Sequence, residues 1–385
     1  MALVWFGIVS VTLLGCAALE RRSRLASLRD RPELRPPKAV WGFDPQPPPV
    51  AYLLARALAG GARLVRSSNS VVDHAGTLAS FSRIVSCAAL ASALSLVPFA
   101  GTWGGASDGL ALVVVDLRHG LIALVFLVLL MGFAQVAVGL ADRSVWSRLG
   151  SVRLACRNLG GLGLFVIVLA PLALETNSFR LHEIVFAQQG LFSPFSWLPT
   201  SIGGQAFEVA RNWHWPNWNI FAQPLTALLF IPTVGCLTHR PWVYDSIAGS
   251  MATSGFGIDS DPVDLYWGRL EARLSKILAA SLFVSLFLGA GAIPFVSTSA
   301  IVHFLQPFMG VELAAFLGVV IQMGVFVGKL MIVLMLIASL RRATAAVRED
   351  QWIGFMTRRL LPLAWANLLL MSAMTLLSDS LQGGQ

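Results

Sequence analysis

The side chains able to do chemistry in this sequence are few, and they sit beside or inside long apolar runs. The most isolated is Lys329, which lies within the segment 312–340, twelve residues before Arg341. At the rise of a helix that separation is about 18 Å. The ammonium is then too deep to snorkel to an interface and needs a buried partner or an aqueous path. Glu312, near the other end of the same segment, is about 25 Å away by the same rise and cannot pair with it. Lys329 is therefore either a charge relay or a lysine paired at a subunit interface. Asp259, Asp261 and Asp264 form the densest acidic cluster. Their spacing could suit a cation, but Pro262 and the surrounding Ser and Gly favour a solvated turn.

The four cysteines, Cys16, Cys87, Cys156 and Cys236, lie in or at the edge of apolar runs without CxxC spacing. They read as small buried hydrophobes. The six histidines are scattered, with no paired spacing. No metal or haem is expected on this chain. Trp197, Trp213, Trp215 and Trp218 cluster before one apolar segment, where an interfacial aromatic belt accounts for them better than a ligand cage.

The elements that must hold these residues are membrane helices. Of 385 residues, 56% are hydrophobic and 12% charged, and the mean hydropathy is +0.71. That balance excludes an ordinary soluble domain. Apolar windows of span length recur along the whole chain. The expectation is an all-α polytopic protein with one membrane domain, 1–385, and eight spans: 2–19, 84–100, 119–140, 158–175, 219–237, 277–297, 312–340 and 360–378. The run 50–66 has apolar residues at helical spacing with Arg56, Arg63 and Arg66 along it, which predicts a short interfacial helix. It lies within a basic connector, 20–83. A second large connector, 238–276, is too long to be a mere link.

The net charge of +8 does not point to nucleic acid, because the basic residues gather at span ends. The connectors 20–83, 143–157, 240–276 and 341–359 hold 24 of the 28 Lys and Arg. The other side holds only Arg118, Arg180 and Arg211. This asymmetry places the basic connectors in the cytoplasm and both termini outside.

Several blocks together resemble the H-type membrane subunit of NADH–quinone oxidoreductase, the family of mitochondrial NADH dehydrogenase subunit 1. Glu20-Arg21-Arg22 followed by LASLRDRP resembles that family's ERR…A…Q-R-GP stretch, and LARALAGGARLVR its interfacial LLQPLADGLKLLxKE helix. GLADRSVWSRLGSVRLACR is similar to GWASNSKYxLLGALRAAAQ, and LHEIVFAQ to LxEIVxxQ. The C-terminal Lys329, Arg341, VREDQW and LLPLAWANLL resemble K…R…LPRxRYDQ…W…LPLxxxNLL.

The resemblance implies a membrane-arm subunit of a respiratory complex I-like assembly in a bacterial inner membrane. Such a subunit forms the quinone-access tunnel and docks the peripheral arm. It binds no redox cofactor itself: quinone is the substrate of the complex, and the iron–sulfur clusters and flavin belong to partner subunits. The implied partners are other membrane-arm and peripheral-arm subunits, quinone and the lipid bilayer. Arg21, Arg22, Arg31, Thr238, Arg240, Phe256 and Asp259 fall on the tunnel side. Arg341, Arg348, Asp350 and Arg358 fall in the last cytoplasmic connector, where they dock a soluble partner or form a solvated turn. Singly, each tunnel-side arginine is also explained by topology alone.

The acid-rich run of the family, AETNRAPFDLPExExELVAGFxTEYSG, aligns from Thr238 without a gap. Thr238, Arg240, Gly255 and Phe256 match, and Asp259 stands at a family Glu. Leu237, Tyr244, Ile247, Gly249 and Met251 stand where the family has carboxylates, and Asp245 is displaced by one residue. Leu162 likewise stands where a membrane-embedded Glu would follow. Leu, Ile, Gly and Met cannot carry a proton, and Tyr does so only in an unusual setting. Proton coupling through this chain is left open. So are two other readings, the membrane subunit of a membrane-bound hydrogenase and a non-catalytic scaffold copy. A stand-alone transporter would show matched broken helices in two halves, and none is evident in the sequence.

Overall fold

The computed structural model describes residues 74–100, 102–103, 110–141, 145–192, 215–237, 262–296, 298–343 and 349–382. Its long helices are α1 (His74–Ser95), α2 (Gly120–Ala141) and α3 (Val145–Thr176). Two short ones follow, α4 (Leu181–Ala187) and α5 (Asn219–Ala222), and then α6 (Pro224–Leu237) and α7 (Pro262–Phe287). After these come α8 (Thr298–Met309), α9 (Val311–Ala343) and α10 (Glu349–Phe355). A wide π turn, Met356–Leu360, leads into α11 (Leu361–Gln382). The helical architecture is as expected, with the addition of two two-residue antiparallel ladders. Thr102–Trp103 (β1) pairs with Leu110–Ala111 (β2), and Leu191–Phe192 (β3) with Trp215–Pro216 (β4).

Among the described residues, five helices are long and apolar enough to cross a membrane: Leu78–Ser95, Gly120–Ala141, Val145–Thr176, Leu313–Leu340 and Gln351–Leu377. The first expected span and the interfacial 50–66 run lie outside the described residues. The expected span 219–237 is broken at Gln223, leaving only a shorter apolar helix, Pro224–Thr233. The helix covering 277–297 begins at Pro262 and ends at Phe287. Helices α1 and α3 also start well before their apolar windows, at His74 and Val145. Charged residues such as Arg83 and Arg157 are buried within them rather than ending them.

Helices α1, α2 and α3 pack in sequence, α7 packs on α1, α6 and α9, and α11 closes against α3 and α6. Bilayer lipid is as apolar as a Leu side chain, so close packing and polar pairing hold such a bundle, not hydrophobic burial. An aromatic cluster joins α3, α6 and α7. The rings of Phe230 and Phe287 are 5.3 Å apart, Phe283 and Phe287 5.4 Å, and Phe165 and Phe230 6.3 Å. Such pairs add about 0.5–1.5 kcal/mol each beyond area.

A polar ladder, buried at Asn367, Thr226 and Gln223 and reaching the surface at Glu175, fixes the break before α6. Asn367 Nδ2 on α11 donates to Thr226 Oγ1 at 2.9 Å, Thr226 Oγ1 donates to Gln223 Oε1 at 3.1 Å, and Gln223 Nε2 donates to Glu175 Oε2 at 2.6 Å. Where α7 stops, the chain turns at Gly289, Ala290 and later Phe295, all at positive φ. This turn lies so close to α9 that a Cβ on Gly291 would meet the Gln322 carbonyl oxygen at 2.7 Å.

Gly291→Ala should therefore destabilise the chain by about 1–3 kcal/mol, the usual cost of overpacking. Gly163→Ala, where an added Cβ meets nothing within 4 Å, should leave the thermal midpoint of the purified protein unchanged.

Candidate functional site

The chain enters α1 and α7 from the same end of the bundle, the end expected to face the cytoplasm. Two residues of the middle of α1, one in the second half of α2 and one in the first half of α7 meet there. Glu271 on α7 is only 4% exposed. Its Oε1 accepts from Gln135 Nε2 at 2.8 Å and from the Ser86 hydroxyl. Arg83, 6% exposed, lies one helical turn below Ser86 with its guanidinium beside Gly268 of α7. On α3, Arg157 is 3% exposed, and the adjacent Asn158 donates to Gly132 O of α2 at 3.3 Å.

Local pattern explains why these groups face inward. Glu271, Ser275, Leu278, Leu282 and Ser285 follow one another at helical spacing and are all buried. They make a single stripe of α7. On α1 the stripe runs Arg83, Ser86, Leu90 and Ala93. A carboxylate held by a hydroxyl and an amide keeps its charge solvated without water, and the hydroxyl can reorient when that charge changes. The site can thus hold a cation or exchange a proton with a neighbour. Among the described residues no group of His, Cys, Asp and Glu could hold a metal ion.

Lys329 lies elsewhere, toward the opposite end. Its Nζ donates to Leu288 O at 2.6 Å, Ala290 O at 3.0 Å and Ala292 O at 2.6 Å, beneath the ring of Trp218 at 4.2 Å from the centroid. The buried partner demanded by its depth is backbone, with an indole above it. Trp218 therefore has a packing role inside the protein. It also stacks on Phe221, with Trp215 edge-on to the same ring.

Arg358 is exposed on the π turn. Arg341 and Asp350 lie on α9 and α10, but their side chains, and Arg348, are outside the described residues. So are Arg21, Arg22, Arg31, Thr238, Arg240, Phe256 and Asp259. Sequence reasoning missed Arg83, Arg157 and Glu271, counting the arginines only as topological charge. The helical stripes just given were the available signal.

Gln135→Leu removes one donor from a buried carboxylate and should cost about 1–3 kcal/mol. A lowered thermal midpoint, with no comparable loss for a change on the exposed face such as Phe133→Leu, would register it.

The profile of the NADH dehydrogenase family matches residues 50–372. The chain is 26% identical over 281 residues, 73% of either chain, to the second H-type subunit of NADH-quinone oxidoreductase from Cereibacter sphaeroides. It is 24% identical over 188 residues, 48% of this chain and 46% of the other, to the H-type subunit of NADH-quinone oxidoreductase from Bdellovibrio bacteriovorus. It is 26% identical over 268 residues, 69% of this chain and 64% of the other, to the H-type subunit of F(420)H(2) dehydrogenase from Methanosarcina barkeri. With the family pattern running through the helices that carry Glu271 and Lys329, this chain belongs to the NADH dehydrogenase family of H-type membrane subunits.

Proposed function

We propose that the chain is the membrane-arm subunit of a quinone-reducing oxidoreductase complex, forming the quinone-access tunnel and docking the peripheral arm. The observation that carries this reading is the family match over 50–372, which takes in the long connector 238–276 together with the helices on either side. The proposed topology has eight spans in a bacterial inner membrane, with both termini outside. Quinone enters beside Arg21, Arg22, Arg31, Thr238, Arg240, Phe256 and Asp259. Arg341, Arg348, Asp350 and Arg358 meet the soluble arm. Flavin and iron–sulfur clusters reside on partners. A relative named for F(420)H(2) rather than NADH fits a membrane subunit whose electron donor is chosen by those partners.

The faces of α9 and α11 support an assembled state. Ile332, Met335 and Leu336 on α9, and Leu369, Met374 and Leu376 on α11, are exposed and suit lipid or neighbouring membrane subunits. Glu271 is the described carboxylate best placed for charge coupling at the quinone side. It lies in the connector 238–276, where Tyr244, Ile247, Gly249 and Met251, with Leu237 just before, stand at positions that are carboxylates in the family the chain resembles. Those same substitutions favour the second reading, a scaffold copy without proton transfer.

An affinity tag on the chain should bring down flavin- and iron–sulfur-containing subunits from solubilised membranes, whereas recovery of the chain alone would contradict the proposal. In that preparation Glu271→Gln keeps both hydrogen-bond partners and loses the charge. Working coupling predicts that proton translocation per quinone reduced, counted beyond the two protons consumed in forming each quinol, falls sharply while the quinone reductase rate changes far less. An unchanged ratio favours the scaffold reading.

A further inference from the structure

The three oxygens around Lys329 come from alternate residues, and an ordinary turn would not aim them at one point. They converge because Gly289 and Ala290 both take left-handed backbone conformations, φ 64° and 47°. Glycine adopts that region freely, but alanine seldom does. Ala290 is fully buried, and a side chain at Gly289 would run into the Trp218 indole, which lies 2.9 Å from where its Cβ would stand. Backbone conformation, a missing side chain and an aromatic face are thus all arranged around a single point, where Nζ sits.

The donor count at that point decides the charge. Three carbonyl oxygens at 2.6, 3.0 and 2.6 Å take three N–H bonds, the full complement of a protonated lysine. A neutral amine offers two N–H bonds and a lone pair, and the lone pair would face a carbonyl oxygen at contact distance. The indole face adds attraction that only a cation receives. The acceptors also lie at the C-terminal end of α7, the negative end of its dipole.

We propose that the 288–292 turn and Trp218 form a binding site for a primary ammonium ion, with the Lys329 side chain as its tethered occupant. Lys329 is then a fixed positive charge that closes α7, not a proton carrier. A chain lacking that side chain accepts a free primary ammonium ion in its place. This holds whichever complex the chain assembles into.

Lys329→Ala leaves Cβ and removes the equivalent of propylammonium. In native membranes, the fraction of chain that stays in its complex through a heating step should fall about tenfold, in line with loss of hydrogen bonds to a charged group. Propylammonium should restore it to within about twofold of the unaltered chain. Tetramethylammonium, which has charge but no N–H, and 1-propanol, which fills space without charge, should not. Equal recovery with all three, or no recovery with propylammonium, overturns the proposal.

A measurement on the unaltered chain does not depend on the variant folding. Lys38, Lys276 and Lys329 are its lysines, so nitrogen-15 labelling of Nζ gives an assignable spectrum. At pH 8 the Nζ signal of Lys329 should lie at the ammonium position. A neutral amine signal assigned to Lys329 overturns the proposal.

Discussion

A helix that ends inside an apolar bundle leaves carbonyl oxygens that neither water nor lipid can satisfy, each at a cost of several kcal/mol. Helix α7 ends that way, and much of one end of the protein is built to answer it. Gln188 Nε2 donates to Ser285 O at 3.1 Å and Asn219 Nδ2 to Leu286 O at 2.9 Å. Lys329 takes the carbonyls of Leu288, Ala290 and Ala292 beyond them. Gln188 Oε1 in turn accepts from Gly289 N at 3.0 Å and from Asn219 N at 3.4 Å. Ser285 Oγ also donates to Pro98 O at 3.0 Å, tying in the chain just after α1. Four stretches distant in sequence are thereby fixed to one helix terminus. The short helices α4 and α5 are positioned by this need.

The two ends of α7 consequently have different characters. At the far end the charge is saturated by backbone dipoles, and little there can change state without breaking several hydrogen bonds together. At the near end Glu271 is held by side chains, Ser86 and Gln135, with Arg83 close by. Helix α7 is thus anchored through backbone carbonyls at one end and through a buried polar side-chain cluster at the other. The polar ladder from Asn367 to Glu175 makes the same division for α3, α6 and α11, since it too locks the far half.

Composition and window length made the helical membrane class legible. The long apolar helices α2, α3, α9 and α11 stand near their expected places because their patterns are strong. The starts of α1, α3 and α7 were less legible, since buried Arg83, Arg157 and Glu271 look in sequence like the solvated charges that flank a span. Lys329 was recognisable as deep and in need of a partner. That partner could not be read, because backbone carbonyls gathered by two left-handed residues leave no mark beyond a Gly-Ala-Gly-Ala run. The break at Gln223 was hidden for a similar reason. Its support comes from Thr226, Asn367 and Glu175, none of which is unusual alone. The family pattern, in contrast, is carried by residue identities and survives wherever the exact helix boundaries fall.

Amide hydrogen exchange across residues 284–292 tests most directly whether side chains from elsewhere close the end of α7. These amides should exchange as slowly as those in the middle of α7, because Gly289 N is bonded to Gln188 and Leu288 N and Ala290 N to Val284 O. Exchange as fast as that of a free loop would mean that this terminus is open, and the central claim would be wrong.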